Sequence, residues 1–250
     1  MKINTGNKVK SEKIWIWGLH SVEAALLARR HVYELLYVAS KAERFSSFGG
    51  RACQGFDIDR VVPKDAVHQG VALLTNSVPS LALEALDSKK GPVLVLDQVV
   101  DPRNVGALWR SAAVFQAQAI LFLKQRSSNF ENTALNNHHL QGVIAKAASG
   151  AIDRVPYVCV VNLGRALEFL KKRGFFCVGL CQTGQVIDPK YAFQDLGVAL
   201  VVGQEGKGLR SLTRQRCDLL WRLNVCPEFS TLNVSVAAGI ALSELYAIKK

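Results

Sequence analysis

The sequence lacks several features that would settle its class at once. Its cysteines, Cys53, Cys159, Cys177, Cys181, Cys217 and Cys226, form no C-x-x-C pair and no cluster with histidine. That argues against a zinc site, and dispersed thiols suit a reducing compartment, so a cytoplasmic protein is expected. His20, His68, His138 and His139 have no ligand partners at useful spacing, and no metal is expected. No apolar run reaches the roughly 18 residues needed to cross a bilayer. The opening MKINTGNKVKSEK has no apolar core of a signal peptide, so no membrane segment is expected. There is no internal repeat and no low-complexity block. Acidic residues are scarce: 20 Asp and Glu stand against 31 Lys and Arg, a formal charge of +11. The first 75 residues and the remainder are both net basic. Such an excess favours a polyanion, most often nucleic acid, over solubility alone.

What is present is a core. An apolar fraction of 49% over 250 residues is ample for one large domain or two small ones. Residues 1–13 read as a flexible basic tail. From 14 to 76 the pattern is short and mixed. IWIWGLH, YELLYVA, FDIDRVV and GVALLTN read as strands, and SVEAALLA as a helix with Ser21 at its N-cap. This is a small α/β unit. The stretch 77–91, with Pro, Ser and two Lys before Gly, is the best linker candidate. From 92 to 250, apolar strands (PVLVLDQV, AILFLK, YVCVV, FFCVGLC, VALVVG, LLWRLNV) alternate with helices near 104–116, 134–149, 162–173, 209–216 and 233–247. Near-continuous apolar strands alternating with helices predict a parallel sheet covered on both faces.

In such sheets ligands sit outside the carboxyl ends of the strands. Three of those ends carry polar or glycine-rich turns: DPRNVG (101–106), GQEGKG (203–208) and NVCPEFSTLN (224–233). GQEGKG fails as a phosphate loop, because only two residues separate Gly203 from Gly206, and it lacks the three-glycine dinucleotide fingerprint. It is either a tight turn needing positive φ or a bare backbone that a flat ligand approaches. Ser230, Thr231 and Asn233 stand at a helix start, where one cap would suffice. The small residues Ala237, Ala238, Gly239 and Ala241 follow, which suits close packing at a buried face or a subunit interface. Arg110 sits on an otherwise apolar helix and shares a stripe with Arg103. An ion pair with Glu205 or Asp97 and a contact to phosphate both remain open for it. His138 and His139, in NTALNNHHLQG, offer a weak RNA contact.

Taken together, NVGALWRSAAVF, VVGQEGKGLR and STLNVSVAAGIALSE resemble motifs one, two and three of the SpoU (TrmH-like) RNA 2′-O-ribose methyltransferases, in the family's order and spacing. IAKAASGAIDRVPYVCVVNL is similar to the stretch between motifs one and two. WGLHSVEAALLARR and VHQGVALL resemble the L30e-like substrate-binding domain of the branch that methylates guanosine in bacterial 23S rRNA. The resemblance covers nearly everything from residue 14 onward. It implies a SPOUT-type α/β domain with a C-terminal trefoil knot behind an L30e-like domain, S-adenosylmethionine as cofactor, and a homodimer packed through the knot region.

The resemblance also implies site residues. Asn104, Arg110, Glu205, Thr231 and Asn233 take the catalytic positions. Gly203, Gln204, Gly206, Leu223, Val225, Leu232, Asn233 and Ala237 take the cofactor positions. Arg103 and Arg110, with His20 and His68 in the front domain, are the RNA-binding candidates. Thr231 stands where the family has Ser, Gln204 where it has a smaller residue, and Leu223-Asn224-Val225 where it has Ile-Pro-Met. The implied reaction moves a methyl group from a sulfonium to a ribose 2′-oxygen, a poor nucleophile until its proton leaves. The family assigns the proton to the arginine at 110. A guanidinium, with a pKa above about 12, is more naturally a phosphate clamp. A tRNA 2′-O-methyltransferase and a non-catalytic RNA-binding or ribosome-assembly factor on the same fold are the alternatives. A Rossmann-type nucleotide enzyme is disfavoured by the missing glycine fingerprint.

Overall fold

The computed structural model describes residues 13–78, 80–123, 138–226, 228 and 231–248. The chain runs β1 (Lys13–Trp17), α1 (Leu19–Leu27), β2 (Glu34–Val38), α2 (Ala42–Phe45), β3 (Arg51–Cys53), α3 (Gly55–Asp59), β4 (Val71–Asn76) and β5 (Ser80–Leu81). It continues with β6 (Val93–Asp97), α4 (Pro102–Val114), β7 (Ala119–Leu123), α5 (His138–Ala148), β8 (Tyr157–Val160), α6 (Leu163–Lys172) and β9 (Phe175–Gln185). The last elements are α7 (Pro189–Ala192), β10 (Gly197–Gly203), α8 (Ser211–Arg216), β11 (Leu219–Trp221) and α9 (Val234–Ile248).

Two sheets form. A small mixed sheet has the order β1-β4-β2-β3, and a large sheet has the order β11-β9-β10-β6-β7-β8-β5. Every pair in the large sheet is parallel. Its central strands are buried on both faces, which is why they read as unbroken apolar runs. Alternate residues go to opposite sides. Leu94, Leu96, Leu200 and Val202 join the core beneath α4, α5 and α9. Val93, Val95, Ala199 and Val201 join the core beneath α6, with Leu163, Leu167 and Leu170. The α/β architecture with a parallel sheet is thus the one expected. Among the described residues no helix is long and apolar enough to cross a membrane.

Several local readings are corrected. FDIDRVV was expected as a strand, but residues 55–59 are helical. A reciprocal capping box between Gln54 and Asp57 starts that helix, and two satisfied backbone donors outweigh a short alternation of apolar residues. The strand at Arg51–Cys53 went unread. Ser21 does not cap α1, which begins at Leu19 after Gly18 with no side-chain cap. Its hydroxyl is buried and donates to the Ala145 carbonyl at 2.9 Å. The 77–91 stretch supplies an edge strand, β5, paired in parallel with β8. Its Asp87 is held by the Gln118 amide in both directions, at 3.0 and 2.8 Å. The last strand is shorter than LLWRLNV and ends at Trp221. Within NTALNNHHLQG, residues 132–137 and the side chains of His138 and His139 lie outside the described residues, as does Ser230.

The two sheets are joined by α5. One continuous core contains Ile14, Ile16 and Val22 of the first sheet's layer together with Ile144, Ala145 and Ala148 of α5. Gly142 lies so close beneath Trp17 that a Cβ there would overlap the indole. On its other side α5 meets α4, where Gly106 abuts the Ala147 methyl. Arg30 and Asp153 form an ion pair across this junction at 3.5 Å, with side chains only 9% and 5% exposed.

Candidate active site

The three polar turns do converge. Strands β6 and β10 are neighbours with Asp97 opposite Gly203, so the segments that follow them leave the sheet side by side. Asp101 caps α4, accepting from the Arg103 amide at 2.8 Å, with Pro102 in the first turn. The cap leaves the Asn104 side chain free for other bonds. Its Nδ2 donates to Glu205 Oε2 at 3.1 Å, and its Oδ1 accepts from Asn233 Nδ2 at 3.0 Å. Asn233 is fixed in turn, because its Oδ1 accepts from the Ser235 amide at 2.8 Å and the Ser235 hydroxyl at 2.6 Å. Asn233 therefore performs both jobs that its position allowed: it caps α9 and reaches the first motif. The chain Ser235–Asn233–Asn104–Glu205 has one consistent donor direction, so each amide has a determined orientation.

The glycine turn after β10 is built for close approach. Gln204 and Gly208 exchange backbone hydrogen bonds at 3.1 and 2.7 Å. Gly206 and Gly208 hold φ of 78° and 67°, the conformation that glycine accepts without cost. Gly203 is buried, and a Cβ there would overlap the Gly208 backbone. Below the turn Asp97 is fully buried and paired with Arg210, which donates through its backbone at 3.0 Å and its Nε at 2.6 Å.

That pair decides a question the sequence left open. Asp97 belongs to Arg210 and Glu205 is bonded by Asn104, so neither pairs with Arg110. Arg110 is exposed and faces an open groove of about 760 Å³ between α4 and α9. Ser111, Val236, Gly239 and Ile240 share that groove. Glu244 stands at its edge, and burial, then the nearby Asp188 charge, raises its carboxyl above the ordinary value. Ala238 and Ala241 are buried, and the open side of Gly239 lies against the Ser111 hydroxyl. The small residues of α9 therefore do bring it tight against α4, as expected.

The other candidates fall as follows. Leu223 is buried, Val225 and Ala237 pack against the main core, and Gln204 is half-buried. Leu232 is 39% exposed, and Thr231 and Gly206 are exposed. Arg103 is exposed on the stripe that leads to Arg110. His20 is exposed on the small sheet's side. The structure gives His68 a role in the fold. Its Nδ1 accepts from the Gly70 amide at 3.0 Å and its Nε2 faces Asp59 at 3.2 Å. Among the described residues no group of three His, Cys, Asp or Glu is placed to hold a metal. Sequence reasoning missed Ser235 and Arg210. The Asn-x-Ser spacing at a helix start was the available signal for Ser235. A basic residue following the glycine turn signals nothing by itself.

Comparison with known proteins gives consistent results. Residues 91–243 match the SpoU rRNA Methylase family. The 23S rRNA (guanosine-2′-O-)-methyltransferase RlmB of Ralstonia nicotianae is 35% identical, covering 91% of this chain and 92% of the relative. Its counterpart in Xylella fastidiosa strain Temecula1 is 38% identical, covering 92% and 94%. Among solved structures, the SpoU methyltransferase AviRb from Streptomyces viridochromogenes, in complex with AdoMet, superposes with a TM-score of 0.76 at 18% identity, covering 95% of this chain and 90% of that one. At that identity the likeness speaks for the fold.

Proposed function

The chain belongs to the SpoU rRNA methylase family, and from that premise we propose that it transfers the methyl group of S-adenosylmethionine to the ribose 2′-hydroxyl of a guanosine in 23S rRNA. The observation that carries this reading is the hydrogen-bonded chain Ser235–Asn233–Asn104–Glu205. It draws residues from all three motifs together at the head of the groove that holds Arg110.

The residues present fit the cofactor. Gly206 and Gly208 offer bare backbone, Gly203 lets the turn close on itself, and half-buried Val225 and exposed Leu232 offer apolar surface of the kind a flat adenine covers. When bound, the cofactor supplies an electrophilic methyl on a cationic sulfur. That charge disappears as the methyl moves, so the protein's task is alignment more than charge stabilisation. Asn104, Glu205 and Asn233 fix the position of the turns. Arg110, exposed and with no carboxylate partner among the described residues, is suited to clamp the RNA phosphate next to the reacting ribose. A base role would need a desolvated guanidinium, and its exposure favours the clamp. Thr231 holds a hydroxyl at the edge of the same site.

Two further parts belong to this proposal. Residues 14–76 act as an L30e-like RNA grip, supported by the exposed His20 and by the four lysines among residues 1–13 that precede them. A second copy of the chain packs on the exposed apolar side of α9, at Val236 (50% exposed) and Ile240 (37%), and leaves Arg110 on the α4 side open to RNA. The C-terminal trefoil knot that the family resemblance implies belongs to the same proposal. The test is methyl transfer from labelled cofactor into 23S rRNA, with the site mapped as a 2′-O-methylguanosine. Arg110→Ala is expected to lose transfer while calorimetry still detects cofactor binding. A wild-type protein that binds no cofactor, or methylates no rRNA, overturns the reading.

A further inference from the structure

We propose that Lys146 is an RNA phosphate contact at the seam between the two sheets, leading the bound strand toward the groove that holds Arg110. This rests on the RNA-methylating reading above. Lys146 lies on α5, the wall shared by both parts of the molecule. Its ammonium donates to Gln69 Oε1 at 2.6 Å, and the same oxygen accepts the Leu19 amide at 3.2 Å. Two turns of the small sheet therefore meet over one lysine. Both hold left-handed backbone at that point: φ is 88° at Gly18, 56° at Gln69 and 80° at Gly70. The Lys146 side chain lies over Gly18, in the space that a Cβ there would take. A non-glycine residue in this conformation persists only when its surroundings require it.

The charge at this point is not neutralised. Three of the partly buried cations have carboxylates: Arg30 has Asp153, Arg210 has Asp97 and Lys171 has Asp218, while half-buried Arg214 donates to the Thr183 hydroxyl. Among the described residues no carboxylate lies within ion-pair distance of Lys146, whose bonded acceptor is a neutral amide. Burial lowers its pKa, so the charged form is held at a cost that an arriving anion would offset. Lysine binds phosphate as a point charge. The next residue, Ala147, lines the groove with Arg110 and abuts Gly106 of α4, so the position of Lys146 relative to the catalytic helix is fixed. His20, a candidate RNA contact, directly follows the Leu19 amide held in the same cluster.

The competing role is a tie between the two sheets, and salt dependence separates the two. The full-length wild type, Lys146→Gln and Lys146→Arg are titrated with a 23S rRNA fragment between 50 and 300 mM KCl. Removing one phosphate contact lowers the slope of log K against log salt by roughly 0.7–0.9. Lys146→Gln is expected to show that drop with about five-fold weaker binding at 100 mM. Lys146→Arg is expected to restore both, with cofactor affinity unchanged in each variant. A Lys146→Gln protein with the wild-type slope overturns the inference, whether or not its melting temperature falls. If the wild type binds RNA but transfers no methyl, the activity reading fails while the slope still decides Lys146. If it binds no RNA at any salt, both fail.

Discussion

Asn104→Asp exchanges one atom and reverses one bond of the polar chain. The oxygen that accepts from Asn233 stays. The nitrogen that donates to Glu205 Oε2 at 3.1 Å becomes a carboxylate oxygen. Two unit charges about 3 Å apart repel by roughly 1.4 kcal/mol at the dielectric of water and by roughly 5 kcal/mol at an effective value of about 20. Glu205 is exposed and Asn104 half-buried, so solvent screening puts the cost near the lower figure. Loss of a hydrogen bond to a charged group adds about 1.5 kcal/mol. Glu205 relieves the strain by swinging outward, which limits the destabilisation to about 2 kcal/mol, well within what the fold tolerates.

The catalytic cost is larger than the stability cost. Releasing Glu205 frees the 203–208 turn, and displacement of a positioned group by about 1 Å costs on the order of 10²-fold in rate. Asn104→Ala removes both bonds without adding repulsion, so it serves as the control. Urea unfolding at 0.05 and 0.5 M KCl, with single-turnover transfer at saturating cofactor, reads both effects. The excess destabilisation of the Asp variant over the Ala variant should shrink at high salt, since exposed charges are screened. An Asp variant with the wild-type unfolding midpoint and the wild-type rate would refute the network as the organiser of the site. So would Asp and Ala variants with equal midpoints at both salts.

Gly203→Ala places a methyl into the Gly208 backbone; calorimetry should show cofactor binding lost while the circular dichroism spectrum is retained. Burial pushes Cys177 and Cys217 up to about 12, so at pH 8 only about one thiol in 10⁴ is thiolate. Ellman's reagent should react with both far more slowly in the folded protein than in denaturant, buried Cys177 more so than half-buried Cys217, whereas uniform reaction of all six cysteines would contradict the raised values. Arg30 and Asp153 are both buried, and for each, burial outweighs the partner's charge in shifting its pKa. Single removal should therefore cost about 3 kcal/mol, while Arg30→Met with Asp153→Leu should be neutral or stabilising. The Asp153 carboxyl is raised above its unfolded value, so its favourable contribution is present below the ordinary carboxylate range and lost as pH rises through the folded value. Unfolding midpoints should accordingly move in favour of the double variant as pH rises from about 4, and a constant gap would contradict this.

The large sheet was legible because each central strand is apolar on both faces, a pattern that allows few alternatives. The small sheet was less so. In FDIDRVV, strand and helix patterns compete over seven residues, and the deciding capping box involves Gln54, outside the apolar run. The site was legible in parts only. Asn104, Glu205 and Asn233 each stood out as polar residues at strand ends. The bonds that join them cross 101 and 129 residues of chain, and no local pattern encodes such a contact. Arg110 could not be separated from an ion pair until Arg210 was seen to return from the glycine turn onto Asp97. Neither spacing nor charge announces which of several arginines makes that return.

The seam was illegible for a different reason. Ser21 and Arg30 look like surface residues in the sequence, but Ser21 is covered by α5 and Arg30 meets Asp153 in the turn that follows that helix. The signal was in α5 itself. Its described residues include Gly142, Ala145, Ala147 and Ala148, small side chains on more than one face. A helix that packs on one neighbour needs one apolar stripe. Small residues on two faces mean close approach on both sides, and that is what Gly142 beneath Trp17 and Ala147 against Gly106 provide. Because a glycine forms one half of each contact, the small sheet and the Arg110 helix both lie close against α5. A charged residue on the same helix, Lys146, is then set in place relative to both, which is what the proposed RNA contact at the seam requires.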